Sequence, residues 1–97
     1  MQWPVSLEVY GGRDLAAAQA NIADIANAVS EHEPVALMAA PGARGLDRTR
    51  LSGAVEIWDI PTDDLWCRDS GPTFVKNEAG DLAVSLIQFN GWGDKQP

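Results

Sequence analysis

The chain has 97 residues, 45% of them hydrophobic, and carries 14 acidic against 7 basic side chains for a net charge of -7. That is one small domain or a module of something larger, too apolar for disorder and too acidic for the basic footprint that nucleic acid requires. One cysteine, Cys67, excludes an internal disulfide framework, and no apolar run nears the ~20 residues that span a bilayer.

The opening Met1-Gln2-Trp3-Pro4 has neither a basic nor an apolar leader character, so the expected location is the cytoplasm. Leu15, Ala18, Ile22, Ile25 and Val29 recur at steps of three and four and predict a helix with those residues on one stripe. Asp14, after the flexible Gly11-Gly12 pair, is the expected cap, and Pro34 ends the helix because the residue before a proline is driven out of helical space. The flanking alanines let such a helix approach a sheet closely. Val35 to Ala39 reads as a buried strand, and the loop from Pro41 to Gly45 leads into a helical turn around Leu46 to Leu51. Arg44, Arg48 and Arg50 cluster there, but without a phosphate-loop pattern they fit a solvated loop better than an anion site.

Val55 to Ile60 alternates as a second strand. Thr73 to Lys76 and Leu82 to Phe89 flank Asn77-Glu78-Ala79-Gly80-Asp81 and predict a hairpin. The expected architecture is α/β (α+β), one helix covering a small mixed sheet, in a single incomplete domain over 1-97. A sheet with one covering helix leaves its other face and its edges bare, which is why the domain reads as incomplete.

The chemistry is concentrated in Asp63-Asp64-Leu65-Trp66-Cys67-Arg68-Asp69-Ser70-Gly71-Pro72. An indole face and a carboxylate suit a flat cation: Asp69 can accept two parallel N–H bonds from a guanidinium while Trp66 stacks on its delocalised charge. In a straight strand the two side chains face opposite ways, so the backbone must turn between them, and Ser70-Gly71-Pro72 is turn-forming sequence. On residues alone, a core tryptophan beside a capping aspartate is the plainer account. Asp63 and Asp64 fit a loop turn better than a metal site, since no histidine or third acid stands at ligand spacing. Arg68 serves as a counter-charge to Asp69. Cys67 with His32 as base is a weak nucleophile candidate, because His32 lies among glutamates at a solvated helix end. In Asn90-Gly91-Trp92-Gly93 the glycines allow a left-handed turn that presents Trp92, or close approach of a ligand to the backbone; both stay open.

Asp63 to Phe74 resembles the agmatine deiminase family, grouped with bacterial peptidyl-arginine deiminases, whose pattern runs Asn/Asp-Asp-x-Trp-x-Arg-Asp-x-Gly-Pro-Thr-Phe. Phe89-Asn90-Gly91-Trp92-Gly93-Asp94-Lys95 is similar to the family's Phe-Asn-x-Trp-Gly-x-Lys, and Trp3-Pro4 and the passage from Ala26 to Val35 are similar as well. The resemblance implies a pentein fold, a five-bladed α/β propeller of ββαβ modules, of which this chain supplies the first module and the start of the next. It implies hydrolysis of a guanidino group, typically agmatine to N-carbamoylputrescine and ammonia, with no metal and no organic cofactor. It assigns substrate binding to Trp66, Asp69, Asp64 and Trp92, with structural support from Arg68, Gly71 and Asn90. The family's nucleophilic cysteine and general-base histidine lie in later modules, so Cys67 inherits no catalytic role and this chain alone is expected to be inactive. The expected partners are a small cationic guanidino compound and the rest of the fold or further copies of the chain, with no nucleic acid and no membrane. The alternatives are a non-catalytic cation-binding module and a structural or assembly fragment.

Overall fold

The computed structural model describes residues 1-86 and 88-94. Ile87, expected within the last strand, and Lys95, the end of the second motif, lie outside the described residues together with Gln96 and Pro97. The chain forms two compact units, Met1–Leu65 and Trp66 onward.

In the first unit, Ser6 caps helix α1 (Leu7–Ser30) by accepting a hydrogen bond from the Val9 N–H at 3.3 Å. Gly11 breaks the helix with φ 67° and ψ 171°, a conformation that a residue without a Cβ adopts cheaply. This corrects the expected start. The helix begins before the glycine pair, and Asp14 is an exposed residue of the segment after the break. The buried face is Leu15, Gln19, Ile22, Ala23 and Ala26, whereas Ile25, expected on the stripe, is 51% exposed. The alanines are central to this face rather than flanking it, since small side chains are what a helix lying close to a sheet can bury. Past Ser30, the Glu31 N–H still reaches the carbonyls of Ala28 and Val29, and Pro34 follows.

Strand β1 (Val35–Met38) pairs in parallel with β2 (Val55–Trp58), Leu37 standing opposite Ile57. The N-terminal segment lies along the other side of β1. Gln2 bridges Met38 in parallel, the Met38 N–H donates to the Met1 carbonyl at 2.9 Å, and the Trp3 N–H donates to the Met38 carbonyl at 3.0 Å. Both edges of β1 are therefore satisfied, and Leu37 is wholly buried in a core with Trp3, Ile22, Ala26, Val35, Ala39, Leu51 and Val55. Strand β2 ends two residues earlier than expected, because Ile60 turns back to donate to the Trp58 carbonyl and Pro61 follows.

Between the strands, Arg48–Arg50 forms a 3-10 turn capped by Asp47. The Arg48 guanidinium donates to the carbonyls of Leu51, Ser52 and Val55, and Asn27 grips the same loop through the Arg50 carbonyl and the Ser52 N–H. Gln19 does similar work indoors: its Nε2 donates to the carbonyls of Pro4 and Arg44, both at 2.8 Å, and the Trp3 indole N–H donates to the same Arg44 oxygen.

In the second unit, a single turn α2 (Cys67–Ser70) precedes the antiparallel hairpin of β3 (Thr73–Lys76) and β4 (Leu82–Ser85). Asn77 and Asp81 close the hairpin loop with backbone and side-chain bonds, and Gly80 takes φ 94°. Strand β4 stops at Ser85, short of the expected Phe89, because Ser85 already faces Thr73, the first residue of β3. The expected single mixed sheet is thus two sheets among the described residues, one parallel and one antiparallel. The overall class is mixed α and β. Every residue of the hairpin strands is exposed, with Phe74 at 69% and Leu82 at 76%.

Candidate functional site

Trp66 stands at the N-cap position of α2 with φ -79° and ψ 78°, and the chain coils at once through Cys67, Arg68 and Asp69. The bend needed between indole and carboxylate is therefore this helical turn itself, which starts earlier than the Ser70-Gly71-Pro72 sequence expected to make it. Trp66 is 51% exposed, so much of the indole faces solvent, and Asp69 is half-buried. The Ser70 hydroxyl donates back to the Trp66 carbonyl at 3.2 Å and holds the turn closed. A Cβ on Gly71 would stand 2.5 Å from the Cys67 carbonyl oxygen, so only glycine lets the chain leave the turn in this direction. Pro72 then leads into β3.

Cys67 and Arg68 are exposed on the same turn. His32 is exposed just past the end of α1, its N–H bonded to the Val29 carbonyl. Among the described residues no three His, Cys, Asp or Glu side chains gather closely enough to hold a metal ion. No helix among them is long and apolar enough to cross a membrane.

Asp63 and Asp64 lie just before the end of the first unit at Leu65. The Asp63 carbonyl accepts the N–H groups of Val5 at 3.0 Å and Ser6 at 3.2 Å, and the Thr62 hydroxyl donates to the Trp3 carbonyl at 2.6 Å. Asp64 Oδ1 accepts from the Leu65 N–H at 2.6 Å and from the Tyr10 hydroxyl. Burial, and then donation of its proton to the Asp64 carboxylate, push the Tyr10 phenol up to about 12. Tyr10 is a partner that sequence reasoning missed. It lies 54 residues from Asp64, and no periodicity or motif links two positions so far apart.

Asn90, Gly91 and Trp92 resolve one of the two open readings. The turn Gly91–Asp94 winds left-handed, with Gly91 at φ 62°, Trp92 at φ 56° and Gly93 at φ 79°. Asn90 Oδ1 accepts from the Gly93 N–H at 3.0 Å, and Trp92 meets Phe89 edge to face with ring centroids 4.8 Å apart. Trp92 is 40% exposed.

The family described as Porphyromonas-type peptidyl-arginine deiminase matches the chain over residues 1–97. An agmatine deiminase of Pseudomonas aeruginosa (strain LESB58) is 38% identical over 96 residues, covering 96% of this chain and 25% of that protein. A Streptomyces coelicolor protein is 39% identical over 94 residues, covering 96% of this chain and 28% of its own length. The chain thus spans about a quarter of the length of these curated relatives. With the match running from its first residue to its last, this chain belongs to the Porphyromonas-type peptidyl-arginine deiminase family.

Proposed function

We propose that the chain is the guanidinium-binding part of a deiminase that hydrolyses agmatine to N-carbamoylputrescine and ammonia. What supports this reading is that Trp66 and Asp69 bracket one helical turn, the indole exposed and the carboxylate half-buried. The Asp69 carboxylate takes two N–H groups of the guanidinium, and Trp66 stacks on the planar cation. Loss of ammonia requires attack on the guanidinium carbon and proton delivery to the departing nitrogen. Neither Cys67 nor His32 is assigned those steps, which fall to a thiolate and an imidazole of later modules.

On this reading the chain is a single incomplete domain, one module of a pentein propeller with the start of the next, that works in the cytoplasm docked to the remainder of the fold. By itself it binds agmatine and releases no ammonia. Isothermal calorimetry of the full chain with agmatine tests this. A charge-assisted bidentate contact is worth ~1.5–3 kcal/mol, so Asp69→Asn weakens binding by about 10- to 150-fold. Trp66→Ala removes a cation–π contact of ~0.5–2 kcal/mol and weakens it about 2- to 30-fold. Unchanged affinity in Asp69→Asn, or ammonia release that vanishes with Cys67→Ser, refutes the assignment.

A further inference from the structure

The stretch that enters the Trp66–Ser70 turn is bound along its length to the first ten residues. Three kinds of bond do this: Thr62 to the Trp3 carbonyl, the Val5 and Ser6 N–H groups to the Asp63 carbonyl, and the Tyr10 hydroxyl to Asp64. Tyr10 is the last residue before the break at Gly11, so its position follows the short capped segment from Ser6 rather than the long helix behind it. The same Asp64 oxygen that accepts from Tyr10 also accepts from the Leu65 N–H at 2.6 Å. Phenol, carboxylate and peptide thus fix the backbone one residue ahead of Trp66.

We propose that Tyr10 is a positioning residue for guanidinium binding, acting through Asp64 to hold the Leu65 peptide from which the Trp66–Asp69 turn springs. The proposal rests on the guanidinium reading of Trp66 and Asp69 and deepens it. It places Asp64 in the support of the site and not among the groups that touch the cation. Asp64 is half-buried and already engaged by two donors, which suits support better than ligand contact. The physical gain is preorganisation: backbone freedom frozen before the ligand arrives is not lost again on binding. The raised phenol, which stays protonated across the working pH range, keeps the donor in place.

The test uses the full chain, agmatine as the probe, and the variants Tyr10→Phe, Asp64→Asn and the double variant. Tyr10→Phe removes the donor and weakens binding by about 5- to 10-fold; Asp64→Asn keeps an acceptor oxygen but loses its charge and weakens binding less, and the double variant loses little more than Tyr10→Phe alone, because both act on the same link. In the free protein, amide exchange accelerates at residues 65 to 69 in both variants while Leu37 and Val55 in the core keep their protection. A merely structural role would loosen the core with them. If Tyr10→Phe binds as the parent does, the proposal falls and the guanidinium reading stands. The proposal falls in the same way if Asp64→Asn abolishes binding while Tyr10→Phe barely changes it, since Asp64 would then touch the ligand. If the parent chain fails to bind agmatine at all, both fall together. If Tyr10→Phe melts the core, so that Leu37 and Val55 lose protection too, the local positioning role is overturned.

Discussion

Replacing Gln19 with leucine keeps the size of a buried side chain and removes both hydrogen bonds from its Nε2. The Arg44 carbonyl keeps a donor, the Trp3 indole, but Pro4, itself among the most buried residues, loses the bond that Gln19 supplies to its carbonyl. Each lost bond costs ~1 kcal/mol, and a buried acceptor left unpaired costs ~1–3 kcal/mol. Added apolar burial offsets about 1 kcal/mol, so the expected net loss is ~2–3 kcal/mol. For a domain of this size that corresponds to about 10–20 °C in melting temperature. Urea unfolding followed by tryptophan fluorescence measures it directly. Trp3→Phe in the same background removes the remaining donor to Arg44, so the double variant loses more than the sum of the singles. A loss below about 0.5 kcal/mol for Gln19→Leu, within ordinary surface-substitution scatter, refutes the reasoning, as do additive losses in the pair.

Gly45 sits at φ 72° with a Cβ position 2.9 Å from Gln19 Cδ and 3.0 Å from its Nε2. Gly45→Ala therefore costs ~1–2 kcal/mol for left-handed backbone plus displacement of the Gln19 amide. In a Gln19→Ala background only the backbone cost remains, and equal losses in the two backgrounds contradict the contact. Tyr10 is the single tyrosine, so absorbance at 295 nm follows its ionisation alone, with an expected midpoint near 12 against the ordinary 10.0. Asp64→Asn brings that midpoint part of the way down, since burial, the larger cause, persists. Because the folded phenol holds its proton more tightly than the unfolded one, its contribution to stability is complete below about pH 10 and is lost as pH rises through about 12.

Periodic and local features were legible in the sequence. The apolar run of β1, the turn chemistry of Asn77 to Asp81 and the three- and four-residue steps of α1 each follow from forces acting over a few residues. The misses came from longer reach. Ile25 matches the helical period, but the buried face is set by where the small Ala23 and Ala26 allow the sheet to approach. A buried glutamine looks like a polar interruption until Pro4 and Arg44 fold back to present their carbonyls. The turn-forming character of the stretch after Trp66 was readable because it depends on a few neighbouring residues, whereas the Tyr10 to Asp64 bond depends on the whole first unit closing.

Trp92 holds a backbone conformation that a third glycine would adopt more easily. An L residue there is strained by ~1–2 kcal/mol. The opposing gains are of similar size: ~0.5–1.5 kcal/mol for the ring pair with Phe89 and ~1 kcal/mol for the Asn90 to Gly93 bond. Wound and unwound forms of this segment are therefore close in free energy. Removing the Phe89 ring tips that balance toward the unwound form, so the handedness of this stretch hangs on one side-chain pair.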